Sequence, residues 1–112
     1  LGAGSFVSAL GSFEEIHDNV VLQADKIVVD NLAQSQHRGS LAKKFERSVL
    51  KVEDVYGELG DIVAATKVGR ANDKEKILLE PVGMGSEDIA VASLLYQRAQ
   101  ERGIGLKVDF LE

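Results

Sequence analysis

The chain has 112 residues, 45% of them hydrophobic and 28% charged, and its thirteen basic and eighteen acidic residues give a formal charge of −5. That is the size and composition of one folded domain able to bury roughly two-thirds of the surface its unfolded form exposes, and it argues against disorder. The absence of cysteine excludes disulfides and thiolate-held metals, the acidic balance argues against nucleic acid, and apolar runs of four residues or fewer are too short for a membrane-spanning helix.

The start, Leu1-Gly2-Ala3-Gly4, has neither an initiator methionine nor a signal-peptide pattern and reads as a cut edge of a longer protein. Three apolar runs follow that read as strands: Phe6 to Leu10, Ile27 to Val29 and Ile77 to Leu79. The last two are each preceded by a lysine and followed by an acid. Unbroken apolar character suits strands covered on both faces, as in a parallel sheet.

Helical patterns lie between and after them. Asn31 can cap a helix that stops by Gly39, and a short piece can follow through Leu41 to Phe45. Val52, Val55, Tyr56, Leu59, Ile62 and Val63 form a stripe at spacings of three and four, which predicts one helix with Tyr56 in the core. Gly57 and Gly60 weaken that helix by up to ~1 kcal/mol each. Gly69 to Lys76 is a charged connection.

The clearest helix begins near Ser86 and ends at Arg102, with Glu87 and Asp88 in its first turn and Gly103 just past its end. Ile89 to Tyr96 is apolar nearly all round and Gln97 to Arg102 is polar, which predicts a buried first half and an exposed second half. The sum is an α/β fold of three parallel strands with flanking helices and a long last helix. Three strands are few for such a sheet, which supports a fragment or pairing with another chain.

Gly2-Ala3-Gly4 lacks both the preceding strand and the third glycine of a dinucleotide loop, since Val7 stands at that place. Gly11-Ser12-Phe13 and Gly83-Met84-Gly85-Ser86 follow the first and last strands, and ligands bind at the carboxyl ends of strands in open parallel sheets. Each is also a turn that needs small residues. Side by side they would form one edge of a crevice. Glu87 and Asp88 would repel a phosphate there.

His17 and His37 have no metal-ligand spacing and read as surface or capping residues; no metal site is expected. Glu14, Glu15 and Asp18 read as a solvated acidic turn, and Lys43, Lys44, Arg47 and Lys51 as a solvated helix face.

Four stretches together resemble the C-terminal third of the ornithine cyclodeaminase and mu-crystallin family. They are Val7-Ser8-Ala9-Leu10-Gly11-Ser12, Ala24-Asp25-Lys26-Ile27-Val28-Val29-Asp30, Gly57-Glu58-Leu59-Gly60-Asp61-Ile62-Val63, and Pro81-Val82-Gly83-Met84-Gly85-Ser86-Glu87-Asp88-Ile89-Ala90. The resemblance implies a larger protein with a Rossmann-type domain for NAD or NADP and a second domain for substrate and dimerisation. Residues 1–85 would be later strands and helices of the Rossmann-type domain, and residues 86–112 a helix and tail leading back to the second domain.

The implied activity is that of an NAD(P)-dependent oxidoreductase or deaminase on a small amino or imino acid, in a cytoplasmic homodimer. The alternative is a non-enzymatic, crystallin-like binder of dinucleotide or another ligand. The 112-residue chain alone is expected to be inactive. By resemblance, Leu10, Gly11, Pro81 and Gly83 would contact the cofactor, and Phe13 and Val82 would line the substrate side. Phe13 stands where ornithine cyclodeaminases carry an acid–base aspartate, and a phenyl ring cannot transfer a proton, so no catalytic residue is assigned and ornithine cyclodeamination is not expected. The loop from Phe13 to Val20 looks several residues shorter than in many relatives.

Overall fold

The computed structural model describes residues 1–108. Its strands are β1 (Phe6–Ser8), β2 (Lys26–Val29), β3 (Gly57–Glu58) and β4 (Ile77–Glu80). All pair in parallel, in the spatial order β1-β4-β2-β3. The three predicted strands are therefore neighbours. Pairing of β1 continues one residue beyond its end, through the Ala9 N–H on the Leu79 carbonyl at 2.9 Å, and Leu10 is already 75% exposed.

The helices are α1 (Asp18–Gln23), α2 (Leu32–Ser35), α3 (Ala42–Glu46), α4 (Leu59–Val63) and α5 (Gly85–Arg102). Asn31 caps α2 as its sequence position predicts, its Oδ1 accepting the Gln34 N–H at 2.9 Å. His17 caps α1 through Nδ1, which accepts the Asn19 N–H at 3.2 Å.

The fourth strand corrects the expectation of three. The stripe from Val52 to Val63 is not one helix but a short 3-10 turn (Val52–Asp54), then β3, then α4. The Tyr56 N–H donates to the Ile27 carbonyl at 2.8 Å, which draws the chain onto the edge of β2. A Cβ on Gly57 would lie 2.8 Å from the movable end of the Lys67 side chain. Tyr56 is not core either: its ring lies within cation–π range of two ammonium groups, 4.7 Å from Lys26 Nζ and 5.6 Å from Lys67 Nζ, and its hydroxyl donates to the Val68 carbonyl at 2.8 Å.

The core lies on one face of the sheet. Val7, Leu78 and Ile27 stand abreast in register and pack with Val29 against Val21, Leu41 and Leu50. The other face is less covered than unbroken apolar strands predict. There Phe6, Val28, Ile77 and Leu79 border an apolar groove of about 260 Å³ that Leu59 and Ile62 of α4 flank.

The long helix is also corrected. Its bounds agree, and Gly103 ends it in the left-handed conformation at φ 62°. None of its residues is buried, so its first half is as exposed as its second. It stands off the sheet and raises the radius of gyration to 17.9 Å, against ~13 Å for a compact chain of this length. Among the described residues, no helix is long and apolar enough to cross a membrane. Residues 109–112, the end of the predicted tail, lie outside the described residues.

Candidate functional site

Parallel strands deliver their following loops to one edge of a sheet, and ligands bind in the crevice outside that carboxyl edge. Because β4 sits between β1 and β2, the turns after β1 and β4 and the loop after β2 converge there. The two glycine-containing turns singled out in the sequence are thus neighbours. Gly11, Val82, Arg38 and Gly39 share a cavity of about 150 Å³. A larger one, about 600 Å³, opens between Ser12, Phe13, His37, Arg38 and Lys43.

The turn after β1 is fixed locally. The Gly11 N–H donates to Glu15 Oε2 at 2.8 Å, and a Cβ on Gly11 would lie 1.9 Å from the same carboxylate. The buried Ser40 hydroxyl donates to the Phe13 carbonyl at 2.8 Å. That bond holds the Phe13 backbone while its ring, 83% exposed, faces outward. Leu10, Pro81 and Gly83 lie at the same edge of the sheet but line neither cavity.

Beside the larger cavity is an ion cluster. Lys44 Nζ pairs with Glu14 and lies 2.6 Å from Asp18 Oδ1, while Arg47 Nη2 lies 2.6 Å from Glu14 Oε1 and 3.1 Å from Asp18 Oδ1. Hydrogen bonding to Lys44, supported by the charge of Arg47, holds both carboxyls below their usual range. Burial by itself would lower the Lys44 ammonium; its bonds to Asp18 and Glu14 outweigh that and hold it above the usual lysine range.

Glu14, Glu15, Lys43, Arg47 and Lys51 are exposed, as a solvated acidic turn and basic face require; the correction falls on Lys44, which is only 1% exposed. A long stem reaching carboxylates from another segment keeps a buried ammonium charged. Sequence reading also missed Arg38, Gly39, Asp30 and Glu80. The available signal was positional: all four fall within or next to segments that follow strands toward the crevice.

Glu80, the last residue of β4, is fully buried. Burial pushes its carboxyl above the usual carboxylate range, and the nearby Asp30 charge pushes the same way. Among the described residues no group of three or more His, Asp or Glu could hold a metal ion. The crevice offers an exposed aromatic ring, a guanidinium and an ammonium around an open cavity.

The profile of the ornithine cyclodeaminase/mu-crystallin family matches residues 1–103, and the chain belongs to that family. A Δ1-pyrroline-2-carboxylate reductase of Bacillus cereus is 36% identical over 115 aligned positions, covering 98% of this chain and 35% of that protein. An archaeal alanine dehydrogenase dimer solved with bound NAD superposes with a TM-score of 0.85 at 31% identity, over 99% of this chain and 36% of the other. The Δ1-pyrroline-2-carboxylate reductase of Thermococcus litoralis, solved with NADH and L-proline, gives a TM-score of 0.87 at 28% identity, over 96% of this chain and 35% of the other. The chain spans about a third of the length of these relatives.

Proposed function

We propose that this chain is part of an NAD(P)-dependent oxidoreductase or deaminase acting on a small amino or imino acid. The observation that carries the reading is the crevice at the carboxyl ends of β1, β4 and β2, in a chain of this family. Its similarity to a pyrroline-carboxylate reductase and an alanine dehydrogenase supports the substrate class. When bound, the nicotinamide would supply or accept the hydride, and the protein orients what reacts with it.

The residues present fit the nicotinamide end of such a cofactor and not its phosphates. Leu10 presents an exposed apolar side chain at the strand edge, and Pro81 keeps a carbonyl acceptor without an N–H. The start of α5 is unsuited to pyrophosphate: Glu87 and Asp88 occupy its first turn, and the Glu87 carboxylate already accepts the Met84 N–H at 3.4 Å. Leu10, Gly11, Pro81 and Gly83 would face the cofactor, and Phe13 and Val82 the substrate.

In this reading residues 1–85 belong to the dinucleotide domain and residues 86–112 lead to a second, substrate-binding domain. Ile89, Leu95 and Tyr96, each more than 60% exposed on α5, would be covered there or by the partner in a homodimer. The cytoplasm suits a nicotinamide enzyme of this kind.

The test is reduction of Δ1-pyrroline-2-carboxylate and of open-chain imines by NADH and NADPH, followed by loss of nicotinamide absorbance in the protein that carries this chain. Turnover supports the reading. Dinucleotide binding without turnover of any amino or imino acid favours the crystallin-like alternative, for which the apolar Phe13 speaks. Neither binding nor turnover overturns both.

A further inference from the structure

The strands β2 and β4 lie side by side, with Val29 opposite Glu80 in register. Asp30, just past β2, accepts the N–H of Gly83 at 2.6 Å, from the turn that follows β4. Glu80, at the end of β4, accepts the N–H of Leu41 at 2.6 Å, from the loop that follows β2. Each strand thus holds the loop that belongs to the other. Both carboxyls are buried, at 4% and 0% exposure.

The fit around Glu80 is tight. Gly39 has φ +82°, and a Cβ on it would lie 2.5 Å from Glu80 Oε1 and 3.2 Å from Val82 Cγ2. The loop therefore rests directly on the carboxyl, and it can do so only as glycine. Gly39 and Val82 thus pack together, and both line the smaller crevice cavity.

Glu80 is also short of partners. Its Oε2 and the Ser35 hydroxyl are both buried without a hydrogen bond, although the hydroxyl is near enough to act on the carboxyl. The groups acting on Glu80 are the Leu41 and Ser40 amides, Ser35 and Asp30; none is a cation. A proton on Oε2 would supply a donor to Ser35 and leave Oε1 as the acceptor for Leu41. A charged Glu80 would instead be penalised by its burial and by the charge of Asp30.

We propose that Glu80 is a positioning residue for the crevice: by holding the Leu41 amide it seats the Gly39 loop against Val82, and so sets the shape of the wall these residues form and the affinity for a molecule bound in the cavity they line. Asp30 does the same for the Gly83 turn from the opposite strand. The brace is a property of the fold; only its consequence for KM rests on the oxidoreductase reading.

The experiment compares wild type, Glu80→Gln and Glu80→Ala in the protein that carries this chain. Hydrogen exchange at the Leu41 and Gly83 amides reads the brace, and KM against kcat for the imino acid reads its effect. In Glu80→Ala, Leu41 should exchange at least about tenfold faster while Gly83 stays protected, and KM should rise about tenfold with kcat nearly constant. Glu80→Gln, which keeps an acceptor and cannot ionise, should retain both values.

As pH rises above the usual carboxylate range, wild type should lose Leu41 protection and gain KM, because the raised carboxyl ionises, and Glu80→Gln should do neither. Wild-type protection of Leu41 in Glu80→Ala, or an unchanged KM, overturns the proposal. So do superimposable pH profiles for wild type and Glu80→Gln, a comparison that decides the matter even if the alanine variant does not fold. If wild type turns over nothing, the functional reading fails while Leu41 exchange still decides the brace.

Discussion

Lys44 Nζ lies 2.6 Å from Asp18 Oδ1, and this contact ties the start of α1 to α3 through a lysine that is 1% exposed. The same ammonium pairs with Glu14, the neighbour of Phe13. An ion pair built from local neighbours would leave the turn free to move. The pair with Glu14 spans 30 residues, so it anchors the backbone next to Phe13 to α3.

Lys44→Met should therefore lower the melting temperature at neutral pH, because it removes the buried ammonium that both carboxylates bond and leaves them only the half-exposed Arg47. Glu14 and Asp18 are held below their usual range. Their contribution is present above the unfolded-state values near pH 4 and is lost as pH falls through the lower folded-state values. The gap between wild type and variant should thus narrow in acid, as followed by thermal melts between about pH 2 and pH 7. A gap that is constant with pH would show that the cluster contributes packing alone.

Leu78→Ala should cost roughly 2–5 kcal/mol, the range for emptying a leucine site in a packed core. Leu78 is fully buried and stands in register between Val7 and Ile27. Urea unfolding checks it through a lower midpoint at unchanged slope.

Titration of NADH or NADPH into the 112-residue chain should give no affinity tighter than about 1 mM, ~−4 kcal/mol. The start of α5 carries Glu87 and Asp88 rather than a free cradle of amides. Micromolar binding would place the pyrophosphate on residues not assigned to it.

The protein that carries this chain should not release proline and ammonia from ornithine with NAD. Positioned proton transfer contributes roughly 10²–10⁴ in rate, and Phe13, at the rim of the larger cavity, offers only a phenyl ring. A gain of proline formation in Phe13→Asp, measured by product analysis, supports this assignment of the position. Efficient release by wild type would refute it.

Much of the fold is legible in the local sequence. Ile27 to Val29 and Ile77 to Leu79 are apolar at every position, which is what strands inside a parallel sheet require. Asn31 caps its helix and Gly103 ends α5 because capping depends on residues a few positions apart. The family resemblance rests on the same kind of signal, short segments in a fixed order.

What the tertiary structure decided depends on partners distant in sequence. Gly57 and Glu58 form a strand only because the edge of β2 accepts them, and the helical stripe around them gives way. Lys44 is buried because Glu14 and Asp18 arrive from another segment. The exposed face of α5 shows the converse, since a helix apolar on most sides is buried only where something packs against it. Asp30 and Glu80 read as ordinary acids closing two strands; that each holds the other's loop follows from β2 and β4 being neighbours, a pairing made across some fifty residues of chain.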